Sequence, residues 1–175
     1  MYKLSPVRLL HRVVLVLLMV LTGVGCDQAT KRIASEELRA VVPRSYAGDT
    51  FRLLYSENPG SFLGLGGGLS DDMRYAVFVV GVGALLFGLL GFVLLSRAPA
   101  PNTVVGVGLI LGGGLSNWAD RLTNGNLVVD FMNVGVGPLR SGVFNVADLL
   151  IELGALVLLV GAWRASRGRP EEAEA

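Results

Sequence analysis

Four blocks of apolar residues dominate the chain, at about residues 9–26, 75–95, 103–119 and 143–163. A helix needs about 20 apolar residues to cross the hydrocarbon layer of a bilayer. The block from Tyr75 to Leu95 carries no charge and is the clearest span. The last block holds Asp148 and Glu152 but is otherwise apolar, and the third is short and glycine-rich. The first has an uncharged stretch only from Val13 to Cys26, so Arg8 and Arg12 are expected to reach back to the headgroups. Between the spans, Asp27 to Leu38 has helical character. Asp49 to Tyr55 reads as a strand after a turn at Gly48. Pro99 and Pro101 mark a tight turn between the second and third spans. The fold expected is an all-α integral membrane protein: four transmembrane helices and a small extracytoplasmic β-element in the first outer loop. Residues 1–166 form one domain, and 167–175, with Pro170 and its run of Glu, form a disordered cytoplasmic tail.

Composition agrees. The 175 residues are 52% hydrophobic and 17% charged, where a soluble domain carries nearer a quarter. Mean hydropathy is +0.59. A net charge of +1 offers no basic field for nucleic acid. Lys3, Arg8 and Arg12 precede the first span, Arg97 lies between the second and third, and Arg164, Arg167 and Arg169 follow the fourth. The positive-inside rule therefore puts both termini in the cytoplasm. The first block also has the basic start of a signal peptide, and Gly23 to Cys26 ends like the cleavage box of a lipoprotein. That box needs a branched apolar residue where Gly23 stands, so the segment is read as a retained span. Glycines 106, 108, 112, 113 and 114 smooth one face of the third span, and Gly108 with Gly112 is a small-xxx-small pair for helix packing.

The candidate chemistry is acidic. Cys26 and His11 are the only cysteine and histidine, which excludes triads built on histidine, disulfides within the chain and Cys/His metal sites. Carboxylates beside a membrane segment are expensive and read first as functional. Asp130 lies in the second outer loop and Asp148 heads the last span. Two converging carboxylates cannot both ionise cheaply, so they share a proton and can act as acid and base on water. Asn117, Asp120 and Arg121 share a helix face at the end of the third span, as Asn145, Asp148 and Glu152 do at the start of the fourth. Asn117, Asn145 and Arg121 are candidates to orient a peptide or a developing oxyanion. The plainer reading makes Asn145 a helix cap and Asp120–Arg121 a surface pair. A proton or ion relay through Asp148 and Glu152 and a structural role for the glycine faces are the competing functions.

The motifs Asp27-Gln28-Ala29-Thr30-Lys31, Glu57-Asn58-Pro59-Gly60, Gly112 to Arg121, Gly125 to Phe131 and Phe144 to Asp148, in this order, resemble the bacterial lipoprotein signal peptidases (signal peptidase II). The resemblance implies a catalytic dyad of Asp130 and Asp148, supported by Asp27, Lys31, Asn58, Asn117, Asp120, Arg121 and Asn145. It implies an aspartyl endopeptidase of the bacterial cytoplasmic (inner) membrane, working near the extracytoplasmic face without cofactor or metal. The substrate would be a prolipoprotein carrying diacylglyceryl-cysteine, cut just before that cysteine. Membrane lipid would be the other partner, and a monomer is expected. Three positions depart from the family pattern. Ser116 replaces a glycine, with little effect expected. Phe62 comes one residue early, leaving Leu63 at the usual Phe position. Glu152 stands where a small or apolar residue is expected; two roles are open to it, pairing with a polar group inside the bundle or raising the pKa of Asp148 by like-charge repulsion.

Overall fold

In the computed structural model, residues 6–61 and 64–167 are described. Helix α1 runs Pro6–Leu38. Strands β1 (Arg44–Tyr46) and β2 (Phe51–Asn58) follow. A short α2 (Asp71–Arg74) continues into a π-helical segment, Tyr75–Gly81, and then α3 (Val82–Leu95). Helix α4 (Pro101–Thr123) leads to strands β3 (Val128–Val136) and β4 (Leu139–Arg140) and to α5 (Val146–Arg167). The chain is mostly helical with one small sheet.

Among the described residues, three stretches are long and apolar enough to cross a membrane: Val7–Leu38, Asp71–Leu95 and Val146–Arg167. Helix α4 lies among them. Its glycines do not form one smooth face, as the sequence suggests, but serve three neighbours. A Cβ on Gly108 or Gly112 would press on Met19 of α1, one on Gly114 would sit 2.5 Å from Leu86 of α3, and one on Gly113 would fall 2.2 Å from the Ala147 carbonyl oxygen of α5. Small residues let backbones approach this closely. Val107 and Leu111 of α4 are buried together with Val16, Leu86 and Val93 at the centre of the bundle.

Helix α1 does not stop at the end of its apolar block. It continues past Asp27 and Lys31 to Leu38, where Ala34 and Leu38 pack with Phe131 against the sheet. Arg12 does not reach outward. It is buried, and its guanidinium donates to the carbonyl oxygens of Val93 (2.9 Å) and Ser96 (2.7 Å). It thereby closes the C-terminal end of α3, where backbone acceptors have no partner within the helix.

The sheet is larger than the first loop alone supplies. Its order is β1-β2-β3-β4, antiparallel throughout, so half of its strands come from the segment between α4 and α5. Asp130 is therefore a strand residue, paired with Ser56. A register irregularity in β2 between Leu53 and Ser56 separates the two paired stretches. Residues 1–5, 62–63 and 168–175, including the expected tail and the displaced Phe62 and Leu63, lie outside the described residues.

Candidate active site

The site forms where β3, the start of α5 and the end of α4 meet. Asn145 precedes the first turn of α5. Its Oδ1 accepts from the Asp148 N–H at 3.0 Å, and an Asp148 carboxylate oxygen accepts from the Asn145 N–H at 3.1 Å. This reciprocal pair is a capping box. The plain reading of Asn145 as a cap is thus correct, and the same contact sets the rotamer of Asp148. The Asn145 side-chain amide also crosses to the sheet and donates to Asp130 Oδ1 at 2.7 Å.

Asn117, near the end of α4, completes the link. Its Nδ2 donates to Asp148 Oδ1 at 2.9 Å, and its Oδ1 accepts from Asn145 Nδ2 at 3.2 Å. Asp130 and Asp148 are thus joined through two amides, and both line one cavity of ≈ 560 Å³. Asn58, at the end of β2, donates to the other oxygen of Asp130 at 2.9 Å, while its Oδ1 accepts from the Gly60 N–H at 2.9 Å. That local turn fixes which atom of the amide faces Asp130.

Asp130 is 2% exposed. Burial pushes its carboxyl up to about 6. The Asn58 hydrogen bond opposes that shift, the nearby charge of Asp148 adds to it, and Asn145 and Lys31 oppose it more weakly. The charge of Asp148 thus makes ionisation of Asp130 costlier than burial alone would.

A buried network of charges stands behind the amides. Lys31 Nζ lies 2.7 Å from Asp27, 2.8 Å from Asp120 and 2.7 Å from Asn117 Oδ1. An ammonium on Oδ1 leaves only one orientation for Asn117, with its NH2 on Asp148. The side chain of Asp27 is fully buried. It accepts from the Ala147 N–H at 2.8 Å, at the head of α5, and from the Ser116 hydroxyl at 2.8 Å. Asp120 is held by Lys31 and by Gln28 Nε2 at 2.7 Å, so it is no surface partner of Arg121. Arg121 instead donates to the carbonyl oxygens of Asn126 (2.9 Å) and Gly60, with its guanidinium over the Phe78 ring at 4.6 Å. The donors expected to face substrate are therefore engaged in holding the carboxylates and the Gly60 turn.

All nine residues singled out in the sequence lie in this region, and the structure adds three. Ser116 is a working member of the buried network rather than a neutral replacement. Gln28 donates to Ser116 and Asp120. Phe78 comes from the π-helical segment and forms part of the cavity wall. Gln28 was visible in its motif beside Asp27, whereas nothing distinguishes Phe78 within an uncharged span. Glu152 forms no hydrogen bond or ion pair among the described residues, so of its two open roles the pairing inside the bundle is not found. It is exposed and lines the cavity. The same residues include no cluster of acids, Cys or His suited to a metal ion.

The sequence model of a family described as signal peptidase (SPase) II matches residues 18–164. A lipoprotein signal peptidase of Chlorobium phaeobacteroides (strain BS1) is 34% identical over 146 residues, 77% of this chain and 86% of that protein. One from Halothermothrix orenii is 31% identical over 153 residues, 87% and 98% of the two chains. A solved structure described as a bacterial membrane enzyme shares the fold, with a TM-score of 0.77 at 22% identity over 91% of this chain and 94% of the other.

Proposed function

Because this chain belongs to the signal peptidase II family, bacterial membrane peptidases that remove signal peptides from prolipoproteins, we propose that it does so by aspartyl hydrolysis at Asp130 and Asp148. The observation that supports this most is the convergence of two carboxylates, one from a strand and one from a helix, on one cavity through the amides of Asn145 and Asn117.

The pair holds one proton between its two carboxyl groups. The ionised carboxylate takes a proton from water as the water oxygen bonds to the scissile carbonyl carbon. The protonated carboxyl gives its proton to the carbonyl oxygen. Collapse of the tetrahedral intermediate re-forms the carbonyl and breaks the C–N bond, with a proton passing to the leaving nitrogen. Asn117, Asn145 and Asn58 keep both carboxylates in place, so little reorganisation is needed on the way to the transition state. The apolar part of the cavity wall, including Phe78, Val82 and Leu149, suits a substrate that enters from lipid. The substrate is a prolipoprotein with diacylglyceryl-cysteine, cut just before that residue.

In this reading α4 is the fourth crossing, the termini are cytoplasmic and the sheet lies on the outer face of the cytoplasmic membrane. Helix α4 needs little apolar surface of its own because much of it is buried against its neighbours.

The test is cleavage of a diacylglyceryl-modified prolipoprotein by purified protein, beside Asp130→Asn, Asp148→Asn and an unlipidated substrate. Each single variant is expected to lose about 10³-fold or more in kcat while staying folded. Near-normal turnover by either would exclude the shared-proton mechanism.

A further inference from the structure

Glu152 is the one carboxylate at the cavity that the reaction above does not use. It lies four residues after Asp148 on α5, which places it on the same helix face about 6 Å further along the axis. It lines the same cavity, whose apolar lining residues include Phe78, Val82 and the neighbours of Glu152 on α5, Leu149 and Ile151. The two cations held around the dyad are engaged elsewhere: Lys31 by Asp27, Asp120 and Asn117, and Arg121 by two backbone carbonyls. A carboxylate without a partner in a membrane span is costly, and hydrogen-bond donors from a ligand would relieve that cost.

We propose that Glu152 is a specificity-determining residue that selects substrates with a hydrogen-bond donor on the side chain of the second residue before the scissile bond. This rests on the peptidase reading above. The position follows from length. The reacting carbonyl belongs to the first residue before the scissile bond; in an extended peptide the Cα of the second lies about 5 Å from that carbon and that of the third about 8 Å, so an offset of about 6 Å falls nearest the second, on the side that continues into the membrane. Side chains of an extended peptide alternate in direction, so the adjacent residue faces away from Glu152. In an otherwise apolar stretch of wall, one acceptor distinguishes a hydroxyl from a methyl group of the same size. A wall made only of aliphatic side chains would favour the methyl.

Thr and Val are near-isosteric and test this directly. Lipidated substrates carrying Thr or Val at the second residue before the scissile bond, and a second pair differing at the third, are cleaved by wild type, Glu152→Gln and Glu152→Leu. The readout is the Thr/Val ratio of kcat/KM within each protein, which is insensitive to the fraction folded. Wild type is expected to favour Thr by about tenfold at the second position only. Glu152→Gln, which keeps a neutral acceptor, should retain part of that preference, and Glu152→Leu should bring the ratio to about one or below. An equal ratio in wild type and Glu152→Leu, or a preference confined to the third position, overturns the assignment. Cleavage of neither substrate by wild type would instead refute the peptidase reading itself, and this inference with it.

Discussion

At the scale of single residues, Asp130 destabilises the protein that carries it. Its carboxyl titrates near 6 when folded, against 3.8 for an ordinary Asp. The folded state therefore binds the proton more tightly than the unfolded chain does. Stability is highest below about pH 4 on this account and falls as pH rises through about 6, by roughly 3 kcal/mol in all. Asp130→Asn removes the titration, although its amide can accept from only one of Asn58 and Asn145. Thermal unfolding in detergent at pH 4.5 and pH 7 should show a clear fall in Tm for wild type and a smaller one for Asp130→Asn. An identical fall in both proteins would mean that the slope has another origin. Asp130 and Asp148 stood out in the sequence because each is an acid flanked by apolar residues. Their connection did not, because Asn145 acts as a cap and a bridge at once, and only the bridge depends on where β3 lies.

At the scale of elements, the clearest dependence is of the site on the closeness of α4 and α5. Gly113 touches the Ala147 carbonyl, one residue before Asp148, and Asn117 lies one turn further along α4. Gly113→Ala would place a methyl group against backbone that cannot rotate away, so the helices must part and the Asn117–Asp148 contact lengthens. A displacement of about 1 Å is expected to cost about 100-fold in kcat/KM. Gly88, in α3, has open space around its Cβ position, so Gly88→Ala should leave cleavage within about twofold and Tm unchanged or slightly raised. Steady-state rates and melting curves for the pair provide the comparison. Much of this level was legible in advance: the apolar blocks near residues 75–95 and 143–163, the strand after Gly48 and the proline turn all sit where periodicity and turn residues put them. Strand β3 was not. Val128 to Phe131 are buried on both faces, between sheet and bundle, and so lack the alternation that identifies a half-buried strand. The π-helical turn was also hidden, since an uncharged run records no change of helical pitch. Trp118 stabilises that turn by donating its indole N–H to the Val79 carbonyl at 2.8 Å.

At the scale of the whole molecule, Lys31 joins what the chain order separates. One ammonium meets Asp27 on α1 and Asp120 and Asn117 on α4, and Asp27 in turn holds the head of α5. Removing the cation alone leaves two buried carboxylates facing each other. Lys31→Met is expected to cost roughly 3–5 kcal/mol. The triple change Asp27→Asn, Lys31→Met, Asp120→Asn should recover part of that stability. Chemical unfolding in mild detergent measures both, and a Lys31→Met protein as stable as wild type would contradict the role given to this network. The sequence marked these residues as polar within apolar surroundings, but long-range pairing of α1 with α4 leaves no local trace.

The two carboxylates belong to different kinds of structure. Asp148 is placed by a helix that can insert into lipid and cap itself, whereas Asp130 is placed only once β3 has paired with β2 outside the bundle. On the proposed mechanism the sheet is therefore a condition of activity. A chain whose helices have gathered but whose sheet is still open would hold only half of the dyad and would cleave no peptide bond.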